Sequence, residues 1–159
     1  MTRNCGPDLA RVGAGLPVAA YRDEITTALH GGRAVIVAPP GTGKTTFVPP
    51  LVASRCSGRV IVTQPRRVAA RAAARRLAAL TGTRPGEFAS HTVHGESTTT
   101  RDTKVEFVTT GVLLRRLLSD PDLTGVDAVV LDEVHERHLD ADLVVAMVCE
   151  VAQLRDDLT

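Results

Sequence analysis

The chain is short of aromatic residues: no tryptophan, one tyrosine and three phenylalanines in 159 residues. So few rings cannot build a broad platform on which bases would stack. Cysteine is also scarce. Cys5, Cys56 and Cys149 are widely scattered, odd in number and never in a Cys-x-x-Cys pair. That pattern argues against a disulfide framework and fits a reducing cytoplasm. His91 and His94 have a short, metal-like spacing, but no cysteine or further histidine clusters with them, and His135 and His138 read as motif and helix residues rather than ligands. No apolar run approaches the roughly 20 residues of a membrane span, so no membrane partner is expected. Residues 1–16 lack the continuous apolar centre of a secretory signal, and their Gly, Pro and polar content reads as a flexible leader. Repeats, low-complexity tracts and an internal boundary are absent, which leaves 17–159 as one domain with a sizeable core.

The net charge of +1 excludes a wholly basic binder, but the charge is unevenly spread. Six arginines and no acid lie between Arg66 and Arg84, whereas acids outnumber bases from Ser119 onward. A basic helix beside an acidic half suggests local contact with a polyanion; a solvated helix face is the plainer alternative.

Two motifs carry chemistry. The first is Ala34 to Thr46. Its β-branched run Val35–Val37 predicts a buried strand, 33–38, that stops at the loop Pro39-Pro40-Gly41. Gly41, Thr42, Gly43, Lys44 and Thr45 then lead into a helix, which is the phosphate-binding pattern in its strand–loop–helix setting, with Ala38 at the first glycine position. Small residues let backbone amides surround phosphates, and the helix N-terminus adds a positive dipole end. Lys44 can reach the β- and γ-phosphates, and the Thr45 hydroxyl can sit on Mg²⁺. The second motif is an apolar strand, 126–131, that ends in Asp132-Glu133-Val134-His135. A carboxylate at such a strand end can hold a nucleotide-bound Mg²⁺, and Glu133 is placed to act as a base toward water.

These segments resemble the DEAH-box helicases, in a DEVH variant. Residues 131–137 resemble motif II, 38–46 motif I, where Ala38 is ordinary, and 63–70, which open Thr63-Gln64-Pro65-Arg66, motif Ia. Residues 108–114 resemble motif Ib, with Thr110 where an acid is usual. Leu16-Pro17-Val18, Gly95-Glu96-Ser97 and Asp120 to Leu123 are similar to the bacterial HrpB type. The resemblance covers about residues 16–158 and implies an α/β P-loop NTPase of the RecA-like kind: a parallel sheet sandwiched by helices, cut short at its C-terminal side. It implies ATP and Mg²⁺ as cofactors, with Gly41, Thr42, Gly43 and Thr46 completing the cradle. Asp132 would hold the metal through water, Arg76 would stack on adenine, and His135 would couple the site to other motifs. A surface arginine and a structural histidine are the plainer readings of those last two. Arg66, Arg67 and Thr109 match positions that grip the backbone of single-stranded nucleic acid, RNA in the first instance. Ser90 to His94 alters two cationic or aromatic positions of the family pattern.

The resemblance further implies a following strand and a second RecA-like domain with arginine fingers, so the 159 residues alone should be nearly inert. The leading expectation is an ATP-dependent RNA helicase domain. The alternatives are a nucleotide-dependent RNA clamp that does not unwind, or another P-loop ATPase motor. Along the rest of the chain, helices are expected at 18–30, 44–54, 65–80, 111–118 and 139–154, and strands at 59–63, 88–94 and 104–108. Pro49-Pro50 should disturb the second helix, and Val68 and Ala72 should face inward on the third. Ligands of such a sheet bind beyond the carboxyl ends of its strands.

Overall fold

The computed structural model describes residues 6–136 and 139–159; Arg137 and His138, both named in the sequence reading, lie outside them. Five strands form one sheet in the order β3-β2-β4-β1-β5. They are β1 (Arg59–Gln64), β2 (Ala89–Val93), β3 (Glu96–Ser97), β4 (Val105–Thr109) and β5 (Val126–Leu131). All pairings are parallel except the short β2–β3 hairpin. Parallel strands need crossovers and burial on both faces, and helices supply both. α1 (Leu9–Gly13), α2 (Arg22–Leu29), α3 (Lys44–Ala53) and α4 (Arg67–Thr81) cover one face with Val60, Val62, Val105 and Phe107. α5 (Thr110–Ser119) and α6 (Leu139–Leu154) cover the other over Ile61, Val108 and Val126. Alternate residues of β1 thus serve separate cores, each fully buried Val, Leu or Phe contributing about 1.5–3 kcal/mol.

Five local expectations need correction. Residues 33–38 form no strand, and Val35 and Val37 are 92% and 90% exposed. A β-branched run becomes a strand only by pairing, and among the described residues no strand pairs with this one. Near the start of β5, on its outer side, Thr159 donates to the Asp127 carbonyl at 3.0 Å and accepts from the Val129 amide at 2.8 Å. That is one parallel bridge, with Thr159 opposite Ala128. Second, α3 runs through Pro49 and Pro50. Each ring removes an amide donor from the helical ladder, but both are buried, and the helix reaches Ala53. Third, Val68 is 74% exposed and Ala72 is exposed, while α4 buries Ala70, Ala74, Leu77 and Ala78. That stripe at i, i+4, i+7 and i+8 is a regular helical face; alanines all round the helix hid which side it was. Fourth, looseness does not extend through all of 1–16: α1 is capped by the Asp8 carboxylate and buries Leu9 and Val12 in the first core. Fifth, the helix expected at 18–30 is a 3-10 turn, Pro17–Tyr21, followed by α2.

One polar group is buried where the sequence suggested only strand. Glu106 of β4 is fully buried, yet it accepts from Arg116 at 2.8 and 2.9 Å, from Arg59 at 3.2 Å and from Thr92 at 2.7 Å. Burial by itself raises the Glu106 carboxyl, but hydrogen bonds from Arg116 and Thr92 and the charges of Arg116 and Arg59 outweigh it and hold the pKa below the ordinary carboxylate range. A buried carboxylate survives only when paired and bonded in this way.

Candidate nucleotide and nucleic-acid site

The site lies at the carboxyl ends of the parallel strands. Its loop, 39–43, turns back at Gly41 and Gly43, whose φ angles of 78° and 90° suit glycine. A Cβ on Gly43 would also lie only 3.0 Å from Leu16, whereas one on Gly41 would meet open space. The Thr42 hydroxyl donates to the Pro39 carbonyl at 2.9 Å, and the Thr42 carbonyl accepts from the Val18 amide at 3.1 Å, so the 3-10 turn braces the loop. α3 begins at Lys44, leaving its first amides without intrahelical acceptors and facing the loop. The Lys44 ammonium folds onto the loop, donating to the Ala38 and Pro39 carbonyls at 2.6 and 3.1 Å. Thr46 lies in the first turn of α3, its amide bonded to the Gly43 carbonyl at 3.1 Å.

The two motifs meet although they are 87 residues apart: the Thr45 hydroxyl donates to Oδ2 of Asp132 at 2.5 Å. The Asp132 amide donates to the Thr63 hydroxyl at 3.2 Å, and Oδ1 of Asp132 accepts from the Glu133 amide at 3.0 Å. Glu133 has φ 55°, a left-handed conformation rare for a side chain of this kind, and such strain concentrates at functional sites. Oε2 of Glu133 lies 3.3 Å from Nε2 of His135, whose side chain is largely exposed. Glu133 and His135 therefore already face each other. A cavity of about 30 Å³ bordered by Thr63, Asp132, Glu133 and Val144 adjoins them.

Arg66 and Arg67 follow β1, and Thr109 ends β4 directly across from Gln64. All three lie at the carboxyl ends of the central strands. Arg66 is mostly exposed and pairs with Glu136 at 3.5 Å; Arg67 and Arg76 are exposed on α4. The altered segment is used internally. His91 is buried and bonds Glu96 through Nε2 at 2.8 Å, and Arg71 of α4 pairs with that same Glu96. The hairpin is thus fastened to α4, while His94 is exposed.

Sequence reasoning overlooked Gln64. It is 4% exposed and donates through Nε2 to Oδ2 of Asp132 at 2.6 Å. The available signal was position: parallel register pairs Thr63 with Leu131, so the next residue of β1 falls beside Asp132.

Comparison with known proteins identifies the family and the fold. The family model described as DEAD/DEAH box helicase matches residues 21–146. Over 147 residues the chain is 44% identical to the ATP-dependent RNA helicase HrpB of Escherichia coli (strain K12), covering 90% of this chain and 18% of that protein. It is 38% identical over 153 residues to the DExH-box ATP-dependent RNA helicase DExH3 of Arabidopsis thaliana, covering 90% of this chain and 13% of the relative. The crystal structure of the Escherichia coli DEAH/RHA helicase HrpB aligns with a TM-score of 0.85 at 42% identity, over 91% of this chain and 19% of that one. The chain therefore spans under a fifth of these relatives' length. The α/β, RecA-like P-loop fold is the one the motifs imply. On the family match and the shared fold, the chain belongs to the DEAD/DEAH box helicases.

Proposed function

We propose that this chain is the ATP-binding domain of a larger ATP-dependent RNA helicase, in which nucleotide hydrolysis drives movement along or unwinding of nucleic acid. The observation that carries the reading is the 2.5 Å contact between Thr45 and Asp132. It brings together a hydroxyl and a carboxylate, the hard oxygen donors that suit Mg²⁺, next to a glycine loop, a lysine and a helix N-terminus. The residues fit the group. Thr45 would bind the ion directly and Asp132 through water; Mg²⁺, when bound, neutralises charge on the phosphate oxygens. Lys44 exchanges the Ala38 and Pro39 carbonyls for phosphate oxygens, a stronger charge-assisted bond. Gly41, Thr42, Gly43 and Thr46 line the cradle, and Arg76 stacks on the base, which reads little of its identity. Glu133 accepts a proton from the attacking water, and His135 orients that carboxylate. Arg66, Arg67 and Thr109 hold the RNA backbone without reading sequence. A second RecA-like domain of the same protein supplies the opposing wall, and alone the 159 residues turn over negligibly.

Titration calorimetry with ADP and Mg²⁺ tests the site. Lys44→Ala should weaken binding about 10- to 100-fold, the worth of a charge-assisted hydrogen bond of about 1.5–3 kcal/mol. Equal affinity in both proteins would place the nucleotide elsewhere.

A further inference from the structure

Asp132 is steered by more than its own motif. Oδ2 accepts two bonds, from Thr45 and from Gln64, while Oδ1 accepts the Glu133 amide. Of the two donors on Oδ2, the Thr45 hydroxyl is the one that must turn away to use its oxygen as a metal ligand. The Gln64 amide is neutral, has no such second task and is buried at the end of a central strand. Asp132 is also held through its backbone, since the hydroxyl of Thr63, one residue before Gln64, accepts the Asp132 amide. Two successive residues of β1 therefore fix both the backbone and the carboxylate of Asp132. A buried glutamine needs some partner, and here its Nε2–H shares Oδ2 with the Thr45 hydroxyl, which leaves Oδ1 to the Glu133 amide.

We infer that Gln64 is a positioning residue for Asp132: its Nε2–H holds Oδ2 in the orientation from which the carboxylate serves Mg²⁺. The inference rests on the metal role of Asp132 proposed above. Outer partners of metal-holding groups are commonly worth 10- to 100-fold in metal affinity, which sets the scale expected here.

The test uses the 159-residue chain and ADP, measured calorimetrically with Mg²⁺ and again in EDTA. Gln64→Met keeps the length of the side chain and removes the donor; Gln64→Ala is the second variant, so that failure of one to fold leaves the other. Each folded variant should lose about 10-fold or more of the affinity gained from Mg²⁺, with ADP affinity in EDTA unchanged. In an Asp132→Asn background, Gln64→Met should have no further effect on that gain, because the two act as one unit. Equal weakening with and without Mg²⁺, an unchanged gain, or additive effects in the double variant would overturn the role. If the unsubstituted chain itself shows no Mg²⁺-dependent gain, it is the proposed metal site that fails, and Gln64 with it.

Discussion

Glu133 and Glu106 show how differently two carboxylates are employed in this chain. Glu133 is partly open, strained in its backbone and paired with His135. That suits a group which must reach water. Glu133→Gln keeps the shape and removes the base. In the full-length protein it should abolish steady-state ATP hydrolysis while nucleotide binding persists; normal turnover by that variant would remove Glu133 from the chemistry. Glu106 is closed in by two arginines and a threonine. Its pKa is held below the unfolded value of about 4.3. The stability it contributes is therefore complete above that value and is lost as the pH falls through the lower, folded one. Glu106→Gln leaves Arg59 and Arg116 without a counter-charge and should cost roughly 1–3 kcal/mol near neutral pH. Urea unfolding of both proteins should show this gap narrowing in acid. A gap of the same size at pH 7 and pH 3 would deny the ion network its role.

At the scale of elements, the sequence is most informative where period and breaker agree. β5 and α6 have the boundaries that apolar runs and their flanking residues predict, and β1, β2, β4 and α5 lie within a residue or two of theirs. Legibility fails where structure depends on a neighbour. Residues 33–38 have strand composition, but strands are made by partners, and Val35 and Val37 face solvent. The packed side of α4 was hidden because alanine is equally small on every face. Asp132 was legible from its motif, whereas Gln64 and Glu106 were not, because each depends on which strands are adjacent. The start of α4 is also where an element-scale test belongs. Arg66 and Arg67 follow β1 at the carboxyl end it shares with Thr109 of β4. The 3.5 Å pair between Arg66 and Glu136 is exposed and worth at most about 1 kcal/mol, so a phosphate can displace it. In the full-length protein, RNA affinity should fall with salt at a log–log slope of about −0.7 per contact. Replacing both arginines should flatten that slope and weaken unrelated sequences alike. An unchanged slope would put the groove elsewhere.

For the molecule as a whole, the phosphate loop, Thr45, Asp132 and Glu133 line one open side of a RecA-like fold. Among the described residues no helix is long and apolar enough to cross a membrane. Cys56 and Cys149 are free thiols, and Cys5 lies outside the described part. Among the described residues the outer side of β5 carries the one bridge to Thr159, and the apolar residues 35 and 37 stand open, the kind of surface that invites self-association. In related phosphate chemistry, an arginine supplied from the opposite wall is worth about 10³–10⁵ in rate. In the function proposed above, this chain binds nucleotide while catalysis requires a partner domain. The direct measurement is RNA-stimulated ATPase activity of the 159-residue chain beside that of the full-length protein, at equal concentration and saturating Mg²⁺ and ATP. Robust, RNA-dependent turnover is expected of the full-length protein, and a rate at least about 10³-fold lower of the chain alone. Comparable rates would contradict the proposed function.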